Sequence, residues 1–230
     1  MRNDIICFIP ARKKSSLKNK NMIKIDNKPL IYYTLYSAKN SKYIKDTYVS
    51  SDSLEIQNYS KKFNVKVLKR PKKLASSSSK GYEVISHFVK KNISLLKNKS
   101  LLILQPTSPL RKTSHINKAI NLHYKNKHKP IISVKKIDNK FLKGLIFNKK
   151  GLIPLENGRF VQENRQSLPK IFLPNGAIFL FSIKDFKKSN KIPFKKSLPM
   201  FMNEKESIDL DTKKDLIKIK RILMKNAKKI

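Results

Sequence analysis

Ser100-Leu-Leu-Ile-Leu104-Gln105-Pro106-Thr107-Ser108-Pro109-Leu110-Arg111 is the stretch whose reading decides the fold. From Ser100 to Leu104 the run is short and almost wholly apolar, the pattern of a strand covered on both faces. Pro106 and Pro109 lack a backbone donor and stop the run from continuing as sheet or helix. Gln105, Thr107 and Ser108 are therefore presented as fixed polar groups at the carboxyl end of a buried strand.

The same alternation extends in both directions. Downstream the pattern predicts a helix over 113–125 and a strand over 130–134. Upstream it predicts a strand over 4–10, a helix opened by Pro29, a strand over 47–52, a helix over 53–63, a strand over 65–68 and a helix from Gly81 to Lys91 and onward. Strand–helix alternation implies an α/β protein, a mostly parallel sheet with helices on both faces. Ligands in such sheets sit beyond the carboxyl ends of the strands, where loops 10–21, 69–80 and 105–111 would gather.

The alternation breaks over about 135–173. Short extended pieces at 141–147 and 151–155 flank Asn148-Lys-Lys-Gly151, a hairpin signal. This reads as an insertion, an arm suited to packing on another subunit, within one domain spanning 1–230. A strand over 177–181 then rejoins the sheet, preceded by an Asn175-Gly176 turn. The chain closes on a helix preceded by Asp209-Leu-Asp211-Thr212. On an extended segment Asp209 and Asp211 face one side, which suits a hard cation. The competing reading is helix capping by Asp211 or Thr212, with Asp215 in the first turn.

The chain has 230 residues, of which 39% are hydrophobic, so a packed core is possible. No run approaches the roughly 20 apolar residues that cross a bilayer. The N-terminal apolar run is too short and wrongly flanked for a signal peptide. Cys7 is the single cysteine, which excludes an intramolecular disulfide and a thiolate cluster. His87, His115, His123 and His128 show no ligand spacing. These features predict a soluble, cytoplasmic protein.

The net charge is +38, which raises nucleic acid or an anionic membrane as partners. The charge is spread along the whole chain, however, without a basic tail, zinc-finger spacing or RNA-binding aromatics. It is the pattern of a drifted, Lys-rich composition, and the expectation is no specific nucleic acid and no membrane insertion. Of the 53 basic residues only seven are Arg, at 2, 12, 70, 111, 159, 165 and 221. Arg supplies a planar fork of donors where Lys supplies a point charge. Arg12, Arg70, Arg111 and Arg165 all fall in motif-like stretches. Arg12 and Lys20, after the first strand, suit a polyphosphate, and Arg165 suits a carboxylate held bidentately.

Taken in order, Ile9-Pro-Ala-Arg12 … Lys20-Asn21, Arg70-Pro71 … Leu74-Ala75, Gln105-Pro-Thr-Ser-Pro-Leu110-Arg111, Arg165-Gln166 … Leu168-Pro169 … Asn175-Gly-Ala-Ile178 and Asp209-Leu-Asp211-Thr212 resemble the acylneuraminate cytidylyltransferases. The resemblance runs through essentially the whole chain. It implies a Rossmann-like nucleotide-diphosphosugar transferase fold and a homodimer built by the inserted arm. It also implies reaction of CTP with a nine-carbon 2-keto sugar acid, giving a CMP-sugar and pyrophosphate. By the same resemblance Arg12, Lys20 and Asn21 match the triphosphate loop, Arg70 a cytosine and ribose contact, and Gln105 a contact near the sugar's reacting end. Lys143 and Arg165 match residues that reach the acid from the partner subunit. Asn175 and Phe179 match the sugar pocket, and Asp209 and Asp211 match Mg²⁺ ligands.

Three positions depart from the family pattern. The first loop, Lys13-Lys-Ser-Ser16, has no glycine. Ser77 stands where an Asp is usual, and Phe179 stands where a tyrosine is usual, keeping the apolar face and losing the hydroxyl. The implied chemistry is in-line attack of the sugar's 2-hydroxyl on the α-phosphorus, which needs positioning and charge neutralisation more than a covalent nucleophile. Two rival readings are a 3-deoxy-manno-octulosonate (KDO) cytidylyltransferase and, from another class, an inactive basic RNA-binding protein on the same fold.

Overall fold

The computed structural model describes residues 4–76 and 78–227; Ser77 lies outside the described residues. In chain order the main elements are β1 (Ile5–Pro10), β2 (Lys24–Ile25), β3 (Lys28–Pro29), α1 (Leu30–Lys39), β4 (Ile44–Ser51), α2 (Leu54–Lys61), β5 (Lys66–Lys69), α3 (Gly81–Lys91), β6 (Ser100–Ile103) and α4 (Thr113–Lys125). Then come β7 (Ile131–Ile137), β8 (Leu145–Asn148), β9 (Gly151–Pro154), β10 (Ile171–Ser182), α5 (Ile183–Ser189), β11 (Leu198–Phe201) and α6 (Lys213–Ala227). Seven strands form one sheet in the order β11-β7-β10-β6-β1-β4-β5. All its pairings are parallel except those of β10, which runs against both β6 and β7.

The period of two along each central strand divides the core between the two faces. Ile5, Cys7 and Ile9 of β1 join Leu102 of β6 under α1 and α4, with Ile31, Leu35, Ile116 and Ile120. Ile6 and Phe8 join Leu101 and Ile103 on the other face, under Val84, Ile85 and Phe88 of α3 and Phe186 of α5. On α4 the buried residues Ile116, Ala119, Ile120 and His123 recur at three- and four-residue spacing, the stripe of a helix lying on a sheet. Cys7 is wholly buried, and burial pushes its thiol up to about 12. It is therefore a packing residue.

The strand that returns to the sheet begins earlier than the sequence suggests. β10 runs for 12 residues, and Asn175-Gly176 is an irregularity inside it, where the register with β7 shifts between Pro174 and Phe179. Gly176 has φ +75, which only glycine adopts without strain. The expected turn is thus a bulge, the same local chemistry absorbed by a continuing strand.

Between β7 and β10 the β8–β9 hairpin forms its own two-stranded sheet, apart from the central one. Phe141, Phe147 and Leu152 along this segment are 63%, 80% and 63% exposed. Phe147 and Leu152 pair across the hairpin, and all three of these large apolar side chains are solvated in this chain.

Candidate active site

A cavity of about 360 Å³ opens at the carboxyl ends of β1, β5 and β6. Its lining includes Arg12, Lys20, Asn21, Arg70, Gln105, Phe179, Asp209 and Asp211, eight of the residues singled out from sequence. Residues 12–21 follow β1 and are pinned at several points. The Lys13 amide donates to Asp52 Oδ1 at 2.8 Å, Asn21 Nδ2 donates to the Arg12 carbonyl at 2.8 Å, and Ser16 Oγ donates to the Asp211 carbonyl at 3.1 Å. The glycine-free loop is therefore held by side chains, and the Lys13 amide is already engaged within the protein.

Arg12 Nη1 donates to the Ser76 carbonyl at 2.7 Å, joining this loop to the serine-rich segment across the cavity. Arg70 is buried, with Nε and Nη2 on the hydroxyl and carbonyl of Ser50. Burial pulls its guanidinium down to about 10, Asp52 opposing and Arg12 adding to the fall. It stays a cation at neutral pH, so the cavity keeps a fixed positive edge.

The 105–111 segment is organised from behind by Arg111, to which sequence reasoning gave no role beyond its Arg-poor context. The buried guanidinium donates from Nη1 to the carbonyls of Gln105 (3.0 Å) and Ala177 (2.9 Å), and from Nη2 to Thr34 Oγ1 at 2.6 Å. One planar cation thus fixes α1, the loop after β6 and the bulge of β10 together. Gln105 lies over Gly176, where a Cβ would stand 3.0 Å from Gln105 Oε1. The glycine is favoured by its φ, and a larger residue would also press on the Gln105 amide.

Asp209 and Asp211 precede α6. The Leu210 amide donates to the Thr107 carbonyl at 2.8 Å, which seats the segment against the 105–111 loop. Helix capping is done by others: Thr212 Oγ1 accepts from the Asp215 amide, and Asp215 Oδ2 accepts from the Thr212 amide. The Asp211 carboxylate instead pairs with Lys20, Nζ to Oδ1 at 2.9 Å. Asp209 Oδ1 is buried without a hydrogen-bond partner among the described residues. Burial holds the Asp209 carboxyl above its ordinary value; a Thr107 hydrogen bond opposes this and Asp211 adds to it. An orphaned buried carboxylate oxygen beside a second carboxylate is a donor set that fits a hard cation. Among the described residues no third His, Cys, Asp or Glu joins them to complete a metal cage.

Three expected residues lie elsewhere. Asn175 does not line the cavity. It is buried, its Oδ1 accepting from Ser133 Oγ at 2.5 Å and its Nδ2 donating to Ser207 Oγ at 2.9 Å and to the Met202 sulfur. With its amide saturated, it is a clamp between β7, β10 and the 202–207 segment. Lys143 and Arg165 sit in short turns at 139–143 and 165–167. Arg165 lines a separate cleft with Lys136, Asp138 and Gln166, and its Nη2 is 3.4 Å from Asp138 Oδ2. Residues the sequence reading left without a site role, Ser15, Ser79, Thr107 and Ile192, do line the cavity. Only Thr107 carried a signal, its place between two prolines.

A mostly parallel sheet with Arg, Lys and paired carboxylates meeting at its carboxyl edge has the architecture of the nucleotide-diphosphosugar transferases. The chain belongs to the cytidylyltransferase family, whose sequence profile matches residues 6–212. It is 30% identical over 221 residues to N-acylneuraminate cytidylyltransferase of Escherichia coli O18:K1:H7, covering 94% of this chain and 51% of that protein. The chain thus spans about half the length of the first curated relatives it matches. It is 30% identical to CMP-N,N'-diacetyllegionaminic acid synthase of Legionella pneumophila, covering 90% of this chain and 91% of that one. A flagellin modification protein B of Campylobacter coli is 32% identical, with 97% and 96% covered. In fold the chain resembles a CMP:2-keto-3-deoxy-manno-octonic acid synthetase solved with CTP, at TM-score 0.71 and 12% identity, covering 97% of this chain and 100% of the other. Among the described residues no helix is long and apolar enough to cross a membrane.

Proposed function

We propose that this chain is a cytidylyltransferase that joins CTP to a nine-carbon 2-keto sugar acid and releases pyrophosphate. The observation that carries the reading is the meeting of Arg12, Lys20, Asn21 and Arg70 with Gln105, Asp209 and Asp211 around one cavity. The acid's 2-hydroxyl oxygen attacks the α-phosphorus; the new C–O–P linkage forms as the bond to pyrophosphate breaks, and the hydroxyl proton passes to solvent. Arg12 and Lys20 neutralise the departing pyrophosphate. Arg70, immobilised on Ser50, holds the nucleoside end, and Gln105, lying over Gly176, orients the acid near its reacting carbon. Asp209 and Asp211 would hold Mg²⁺, which when bound supplies charge neutralisation at the phosphates and a more acidic attacking hydroxyl.

The reading includes a homodimer formed through the 135–173 arm. The exposed Phe141, Phe147 and Leu152 support it, because solvated apolar side chains in a row are stabilised by a partner's surface. In such a dimer Lys143 and Arg165 would serve the other subunit's cavity. The test is pyrophosphate release with CTP against N-acetylneuraminate, legionaminate, pseudaminate and KDO. Turnover of a nine-carbon acid supports the reading. Turnover of KDO alone would move the chain to the eight-carbon group. Tight RNA binding at physiological salt with no CTP turnover would overturn the reading altogether.

A further inference from the structure

A second concave region lies at the opposite end of the sheet from the active-site cavity. Ser100 opens β6 and Pro130 precedes β7, so both strands start at this pole, whereas the cavity opens where β6 ends. Two clefts of about 640 and 620 Å³ meet here and share Lys127, His128, Asp185 and Lys188. Beyond these, Lys97, Lys99, Lys184 and Lys187 line the first cleft, and Lys191, Lys195 and Lys196 the second. The carboxylates of the groove, Asp4 and Asp185, are engaged within the protein. Asp4 Oδ1 accepts from the Tyr124 hydroxyl, and Asp185 accepts from Ser182 Oγ at 2.8 Å and Lys188 Nζ at 2.9 Å. The junction of the clefts is fixed: Lys127 and His128 are consecutive left-handed residues (φ +51 and +59), and the His128 amide donates to the His123 carbonyl at 2.9 Å.

Lysines gathered along a concave strip repel one another, and a polyanion lying in the strip relieves that repulsion and sheds its own counterions. Among the described residues neither cleft is lined by Arg, so charge is supplied without the planar fork that reads base edges. That suits a phosphate chain held regardless of its sequence. Phe194 lines the second cleft and is 53% exposed, while its ring is supported edge-on by Phe179 with centroids 6.3 Å apart. A supported, half-open aromatic ring beside lysines is the pairing that single strands use, backbone on the cations and a base on the ring. A bare polyphosphate has no use for the ring. We propose that this groove binds single-stranded nucleic acid through its backbone, without sequence preference, at a site separate from the active-site cavity. The inference does not depend on the chemistry of that cavity.

The test is fluorescence anisotropy with a labelled oligouridylate of about 12 nucleotides, within the roughly 4–16 that such grooves hold. Lys97→Glu/Lys187→Glu/Lys195→Glu is compared with Lys39→Glu/Lys61→Glu/Lys118→Glu, the same change in net charge at exposed positions elsewhere. Thermal unfolding checks that both variants are folded. The groove variant should bind about tenfold or more weakly than the control, and the wild-type log–log salt slope, about −4 for six phosphate contacts, should flatten in the groove variant alone. Phe194→Ala should weaken binding several-fold and leave the salt slope in place. Equal losses in the two triple variants, or no binding at about 50 mM salt, would overturn the site. Binding unmoved by Phe194→Ala would overturn the nucleic-acid assignment in favour of a bare phosphate chain. Displacement of the strand by excess CTP would place it in the active-site cavity and overturn the separate site.

Discussion

Lys20 Nζ and Asp211 Oδ1 stand 2.9 Å apart, joining the loop after the first strand to the segment before the last helix across 191 positions of sequence. The pair is unequal: the Lys20 side chain is 7% exposed and that of Asp211 is 65% exposed. The ammonium therefore depends on the carboxylate more than the reverse. It also occupies an oxygen that a divalent cation would need, so ammonium and a bound cation would compete for Asp211.

That competition predicts how the protein titrates with Mn²⁺ alone. Lys20→Met should bind Mn²⁺ several-fold more tightly than Lys18→Met, an equal change in net charge at an exposed position of the same loop. Asp209→Ala should abolish the gain and lower kcat by roughly 10²-fold or more. Titration calorimetry reads the first effect and steady-state kinetics the second. Equal affinities in the two Lys variants would mean that Lys20 does not guard the carboxylates.

Gly176→Ala is expected to act twice. An alanine at φ +75 is strained, and its Cβ would meet Gln105 Oε1 at 3.0 Å. The strain should cost about 1–3 kcal/mol of stability. The displaced amide should raise KM for the acid while KM for CTP stays near wild type. A stability loss with both constants unchanged would show that Gln105 re-aims freely and does not position the acid.

Asn175→Ala should behave in the opposite way. Its amide satisfies Ser133 and Ser207 in a buried site, so its removal should lower stability by about 1–3 kcal/mol in denaturant unfolding. KM for the acid should remain close to wild type in the folded enzyme. A large rise in that KM at unchanged stability would return Asn175 to the sugar pocket.

Those two neighbours show what could be read in advance. The strand–helix alternation was legible because whole apolar runs, such as residues 5–9 and 101–104, are buried with no polar interruption. Asn175-Gly176 read as a turn because turns and bulges make the same demand on φ. What separates them is the pairing of β10 with β7, 42 residues away at Ser133. The charged half of the cavity was legible through its ordered motifs. Ile192, between a lysine and a proline, carried no local signal, and its place at the cavity comes from packing against the core cluster beneath α3 and α5. The links made by Arg111 to Thr34 and Ala177 are likewise tertiary and absent from any local pattern.

The loop that carries the carboxylates has its own pH dependence. Glu206 bonds Lys112 at 2.9 Å and lies 3.4 Å from His115 Nε2. Burial raises its carboxyl, but the Lys112 and His115 interactions outweigh that and leave it below its ordinary value. Burial pulls His115 down, Glu206 opposing. A depressed carboxyl contributes stability above its unfolded pKa, about 4.3, and that contribution is lost as pH falls through the lower folded value. A depressed imidazole costs stability as pH drops below about 6.5, because the unfolded chain takes the proton first. Both signs agree, so wild type should lose stability on acidification, the His115 part beginning below about pH 6.5 and the Glu206 part below about pH 4.3. Glu206→Gln should be less stable than wild type at neutral pH, with the gap closing in strong acid. A constant gap across the range would mean that Glu206 acts through packing.

Arg165 decides whether the site is completed by a second copy. Among the described residues its side chain reaches only Asp138, at 3.4 Å, and is 59% exposed. A pair that solvated is worth about 0–1 kcal/mol, so the guanidinium is readily given up to a better carboxylate. A sugar acid's carboxylate, held bidentately, is such a partner. Arg165→Lys keeps the charge and loses the fork, and should raise KM for the acid about tenfold while KM for CTP hardly moves. Arg165 lines a cleft apart from the main cavity, so in the proposed dimer the acid it would grip would be the one bound by a partner subunit. An Arg165→Ala chain mixed with an Asp211→Ala chain should then regain activity, since one hybrid site receives a sound copy of each. Subunit exchange is verified by mass-tagged dimers. No recovery after verified exchange would confine Arg165 to its own subunit, and an equal loss toward both substrates would make it a structural residue of the arm.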